Sequence, residues 1–157
     1  MLWVDDLLTW AKSPVQLLER QEQVWQRLHA VGLKGAAAKL ELYTEAVLWC
    51  GRYADGEGVW HDPRRIQGLL DLVQPRTAGD LMQFLCAITW MRMHLPQLAK
   101  ISAPLQQLLE QKLTGARLRT KAAASRLGLS AEEWSTDCQE AWRATRRCLS
   151  ESVKLAL

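Results

Sequence analysis

Apolar positions recur every three or four residues along most of this chain, and short strand-like runs are confined to its first third. At the start, Leu2-Trp3-Val4 and Leu7-Leu8-Thr9-Trp10 flank Asp5-Asp6, the profile of two short strands joined at a tight turn with the acids at its tip. Ser13-Pro14 followed by Gln16 offers a hydroxyl cap and a proline at the first helical position. Leu17, Leu18, Val24, Trp25, Leu28 and Val31 then keep helical spacing up to Gly32, which predicts a helix showing one apolar face to a sheet. Residues 40–43 and 46–53 read as strands, and Asp55-Gly56-Glu57-Gly58 as the turn leading to a further strand at Val59-Trp60.

Beyond residue 61 the period is helical. Asp62-Pro63 opens a helix carrying Ile66, Leu69, Leu70 and Val73 that Pro75 closes. Thr77 caps a second, with a stripe of Leu81, Phe84, Leu85, Ile88 and Met91, ended by Pro96. Leu98, Ile101, Leu105, Leu108 and Leu109 predict a helical pair interrupted at Pro104. Residues 111–129, with Gly115 and Gly128, read as a linker or loosely packed helix. Ser130-x-x-Glu133 then forms a second capping box, and Trp134, Cys138, Ala141, Trp142, Thr145 and Leu149 give the last helix its apolar face. The tail Val153, Leu155, Leu157 alternates like a strand. The expected class is α+β: small β-hairpins with one covering helix over 1–61, a helical subdomain over 62–110, a basic linker over 111–129, and a C-terminal helical segment over 130–157.

At 157 residues, 48% hydrophobic and 24% charged, the chain has one domain's worth of ordinary globular sequence, which argues against global disorder. The longest uncharged apolar stretch, 81–91, falls well short of the roughly 20 residues of a membrane span, so none is expected. No basic segment precedes an apolar run at the N-terminus, so a secretory signal is not expected and an intracellular location, in a cytoplasmic particle or the nucleus, is. Cys50, Cys86, Cys138 and Cys148 show no paired or zinc-like spacing and read as free thiols. The net charge of +3 is unevenly spread: Lys112, Arg117, Arg119, Lys121 and Arg126 stand with no acid between positions 111 and 131. Such a patch suits a solvated connector or a contact with nucleic-acid phosphates. His29, His61 and His94 lie far apart, with no catalytic partner at a recognisable spacing, and receive no chemistry.

Asp5-Asp6 is the one carboxylate pair bracketed by apolar strand signal on both sides. Neighbouring carboxylates converge on one ion only where the strand turns, and a hard cation such as Mg²⁺ suits them; a plain solvated turn has the same composition. Trp3-Val4-Asp5-Asp6-Leu7-Leu8 resembles the Tyr/Phe-x-Asp-Asp hairpin of reverse transcriptases, specifically those of gypsy-type LTR retrotransposon polyproteins. Further stretches resemble the same enzymes in the same order: Val31-Gly32-Leu33-Lys34 with Lys39, Trp49-Cys50-Gly51 with Glu57-Gly58-Val59, Asp62-Pro63-Arg64-Arg65-Ile66, and Leu81-Met82-Gln83-Phe84-Leu85 through Trp90-Met91-Arg92 to Ala103-Pro104-Leu105. Trp134, Cys138, Ala141, Trp142 and Leu149 look like the start of the RNase H-like tether that follows the polymerase.

The resemblance implies roles position by position. Asp5 and Asp6 would act with a third palm aspartate to hold two Mg²⁺ ions, and Trp49, Cys50 and Gly51 would form the primer grip, with Val59-Trp60 as partner strand. Residues 1–61 would be part of the palm and 62–110 thumb-like, with Arg92, and from the basic segment Lys112, Arg117 and Arg119, as candidate contacts to the nucleic-acid backbone. The implied partners are an RNA/DNA primer–template duplex, the N-terminal part of the polymerase and a downstream RNase H. Trp3 replaces the family's usual Tyr or Phe, and Cys50 its usual Leu. As the sequence reads, the fingers and the strand with the first metal-binding aspartate are missing, so the expectation is a truncated polymerase fragment, inactive alone. The alternative is a non-enzymatic module, co-opted or decayed, that binds nucleic acid or protein.

Overall fold

The computed structural model of the chain describes residues 2–3 (backbone only), 6–114 and 119–152; Asp5, Arg117, Gly115 and the expected strand at the tail lie outside the described residues. Two units are distinguished, one up to Gly58 and one from Val59 onward.

In the first unit, β1 (Leu2–Trp3) pairs antiparallel with β2 (Asp6–Leu7). The register closes at Trp3 and Asp6, so Asp6 belongs to a strand and not to the tip where the sequence pattern puts it. Helix α1 (Pro14–Ala30) starts as expected: the Ser13 hydroxyl accepts the Gln16 N–H at 3.3 Å, and Pro14 loses no bond at the first turn. Its apolar face finds no core. Leu17, Val24 and Leu28 are half-buried and Val15, Leu18 and Trp25 exposed, because a two-stranded ribbon is too small to cover a 17-residue helix.

Residues 40–43 are not a strand. Ala37–Lys39 forms a single 3-10 turn, and Tyr43 sits at φ 59°, a left-handed conformation that ends any extended run. The strand expected over 46–53 is two strands, β3 (Ala46–Trp49) and β4 (Arg52–Asp55), paired from Ala46↔Asp55 to Trp49↔Arg52. Cys50 and Gly51, at φ 50° and 73°, are the two central residues of the turn between them. Positive φ at both positions is the type I′ geometry, whose twist matches that of the flanking strands. The partner of β3 is therefore β4, not 59–60 as expected; β5 (Val59–His61) opens the second unit.

The second unit is helical. Asp62 caps α2 (Pro63–Leu70), its carboxylate accepting the Arg64 N–H at 2.9 Å. Thr77 and Asp80 form a reciprocal capping box for α3 (Ala78–Trp90), with bonds of 3.1 and 3.0 Å. All five residues of its stripe are buried, although the helix stops at Trp90 and a 3-10 turn, Arg92–His94, occupies the approach to Pro96. The expected helical pair is one helix, α4 (Leu98–Leu113), continuous through Pro104. An interior proline costs about 3 kcal/mol or more. Burial of Leu98 before it and Leu105 and Leu108 after it offsets that, at about 1.5–3 kcal/mol for each buried side chain.

Helix α6 (Thr136–Ser150) begins later than expected, with Ser135 as its cap; Ser130 and Glu133 instead close a turn in which the Glu133 carboxylate accepts the Ser130 N–H at 2.8 Å. Cys138, Ala141, Trp142, Thr145 and Leu149 are buried on it, and the Phe84 and Trp142 rings meet at 4.5 Å between centroids. Nor is 119–129 a free linker. Helix α5 (Lys121–Ala124) and the strand-like stretch after it dock on the start of α3, through Ala78 N–H to Leu127 O at 2.9 Å and Leu129 N–H to Arg76 O at 2.8 Å. Gly79 permits the approach: a Cβ there would lie 2.8 Å from Ser125 Cα.

Candidate functional site

Asp6 is exposed on β2, and the Cys50-Gly51 turn lies within reach of its field. Burial pushes the Cys50 thiol above its ordinary pKa, the Asp6 carboxylate pushes it further, and Arg52 draws it partly back. The first unit thus sets the Asp6 strand within electrostatic reach of the Cys50-Gly51 turn, 44 positions away in sequence (50 − 6 = 44). Trp49 is half-buried, as are Cys50 and Gly51.

Asp6 supplies one oxygen-donor group, and no cluster of three or more His, Cys, Asp or Glu side chains able to hold a metal is found among the described residues. The described residues alone do not make a Mg²⁺ site, which needs several oxygen ligands in near-octahedral array.

Two of the expected backbone-contacting cations have acidic partners. Lys112 Nζ lies 2.6 Å from Glu133 Oε1, and Arg119 grips Glu110 with two bonds of 3.0 and 2.7 Å. The acids missing between 111 and 131 are supplied from just outside that stretch. Arg92 is exposed at the start of the 3-10 turn.

A second association has no signature in the residue pattern. His61 and His94, 1% and 0% exposed, meet edge to face with ring centroids 4.2 Å apart. The Trp90 ring lies 5.2 Å from His61, and the Arg65 guanidinium stands over that ring at 5.2 Å. These residues belong to β5, the 3-10 turn, α3 and α2, so only the tertiary fold joins them. No helix among the described residues is long and apolar enough to cross a membrane.

No protein-family model matches the chain. A Gag-Pol polyprotein of Koala retrovirus is 29% identical over 111 residues, 71% of this chain and 7% of that protein. The Transposon Tf2-3 polyprotein of Schizosaccharomyces pombe is 27% identical over 109 residues, 69% of the chain and 8% of the polyprotein. A foamy viral protease-reverse transcriptase in complex with an RNA/DNA hybrid superposes with a TM-score of 0.70 over 94% of the chain at 17% identity. The chain is related to a region of retroviral and retrotransposon polyproteins and shares the fold of a reverse-transcriptase region. A second foamy viral structure, bound to double-stranded DNA, gives the same TM-score at 16% identity. The chain spans 18% and 23% of those two chains, and less than a tenth of the polyproteins it matches. Its α+β class follows the same fold.

Proposed function

We propose that the chain is the part of an RNA-directed DNA polymerase that comprises the later palm strands, the thumb and the start of the RNase H-like tether, and that its ligand is an RNA/DNA primer–template duplex. One observation supports this reading: the Asp6 carboxylate helps to raise the Cys50 thiol's pKa, so the strand assigned to catalysis and the turn assigned to the primer end are within electrostatic reach of each other. Polymerisation requires that neighbourhood, because the primer hydroxyl must lie beside the metal-binding carboxylates. Mg²⁺ would supply activation of that hydroxyl and stabilisation of the leaving group. Asp6 would contribute one ligand, and Asp5 another.

With so few ligands, the 157-residue polypeptide is inactive alone on this proposal, and gains activity only beside the N-terminal part of a polymerase. The exposed apolar side chains Val15, Leu18 and Trp25 of α1 fit that requirement, as surface on which a further part of a polymerase could pack. Primer extension with Mg²⁺ tests it: the isolated chain yields no product, and product that vanishes in Asp6→Asn would overturn the claim of inactivity. A second reading, a nucleic-acid- or protein-binding module without catalysis, is favoured by the second unit, which has its own core of buried side chains on α3, α4 and α6. Hybrid binding that falls with salt and is indifferent to Asp6→Asn, with no activity restored by the N-terminal part of a polymerase, would favour that module.

A further inference from the structure

An open cleft of about 510 Å³ lies where α6 meets the chain leaving α2, lined by Leu72, Gln74, Trp142, Arg143 and Arg146. Arg146 is fixed in it. Its guanidinium donates to the carbonyls of Leu70 and Leu72, the latter at 2.7 Å, and lies 5.5 Å from the centre of the Trp142 ring. Two of its five N–H donors are used in this way, which leaves three. Arg143 stands one helical turn before it, exposed and in no ion pair among the described residues. Asp71, the nearest acid in sequence, accepts the Gln67 amide at 2.7 Å and does not line the cleft. A held guanidinium, a second one in no ion pair among the described residues and the Gln74 amide make a donor set for an oxyanion, and a fork of planar donors matches phosphate.

We propose that this cleft is a phosphate-binding site and that the phosphate it takes belongs to a nucleic-acid backbone. The second half of the proposal rests on the duplex-binding reading above. It moves the main contact from Lys112 and Arg119, which Glu133 and Glu110 engage, to α6.

Two titrations at matched ionic strength test it. Inorganic phosphate shifts the Trp142 indole resonance of the full chain, and Arg143→Gln removes the shift; because Arg143 is exposed, that variant keeps the core. A labelled RNA/DNA hybrid binds several-fold more weakly to Arg143→Gln, with the salt dependence of log affinity less steep by about one, whereas Lys121→Gln on exposed α5 has a smaller effect. Equal binding of the hybrid by wild type and Arg143→Gln overturns the backbone assignment. A Trp142 signal unmoved by phosphate overturns the site itself. Phosphate binding without any hybrid binding supports the cleft and sinks the duplex-binding reading on which its role depends.

Discussion

Cys50 carries the clearest residue-scale consequence of the fold. It is a non-glycine residue in a left-handed turn, with its thiol raised first by burial and then by the Asp6 carboxylate. A thiol kept protonated is a slow nucleophile. Replacing Asp6 with Asn removes one of the two raising effects, so alkylation of Cys50 at neutral pH is faster in Asp6→Asn than in wild type; peptide mapping separates it from Cys86, Cys138 and Cys148. An unchanged rate would place the strand and the turn out of electrostatic reach. The sequence named both Asp6 and Cys50 through its resemblance to polymerases, but their mutual influence needs the fold to bring them within electrostatic reach, and no spacing rule encodes that. His61 and His94 illustrate the opposite limit, since 33 positions (94 − 61 = 33) separate two rings that the fold sets 4.2 Å apart.

Glu133 shows how one side chain joins elements. It accepts from Lys112 at the end of α4 and from the Ser130 N–H in the turn before α6, and these bonds, the Lys112 contact first, hold its pKa below the ordinary carboxylate range. A carboxyl with a depressed folded pKa stabilises above its unfolded pKa, and that contribution is lost as pH falls through the folded value. Urea unfolding at a series of pH values should therefore find Glu133→Gln less stable than wild type near neutrality, with the difference vanishing at acid pH. A difference that grows on acidification would refute the linkage. At this scale, caps were the most legible features: Ser13, Asp62 and Thr77 each start the helix expected of them, because capping is chemistry within a few residues. The Ser130 box forms only in part: the Glu133 carboxylate accepts the Ser130 N–H, but the residues between them close a turn, and the chain becomes helical only after Ser135. Pro104 misled because its local penalty is outweighed by burial that only the assembled unit supplies.

At the scale of the whole molecule the two units differ in kind. The second has a contiguous apolar core on α3, α4 and α6, whereas among the described residues of the first no hydrophobic side chain is fully buried. Amides of α3, α4 and α6 should accordingly exchange with solvent only on global unfolding of that unit, and those of α1 much faster. Phe84→Ala, which empties a site that is 1% exposed, should cost about 3–5 kcal/mol and raise exchange across all three helices together while leaving α1 unchanged. Uniform protection of both units would contradict this division.

The sequence by itself determined the α+β class, the starts of α1, α2 and α3, the buried stripe of α3, the apolar face of α6 and the resemblance to reverse transcriptases, because each rests on periodicity, capping or motif order over short spans. Tertiary structure alone decided that Asp6 influences Cys50, that Lys112 and Arg119 are engaged by Glu133 and Glu110, that 119–129 docks on α3, and that Arg143 and Arg146 share a cleft with Trp142. Charge and burial act through space, and their partners become neighbours only when distant segments of the chain pack together.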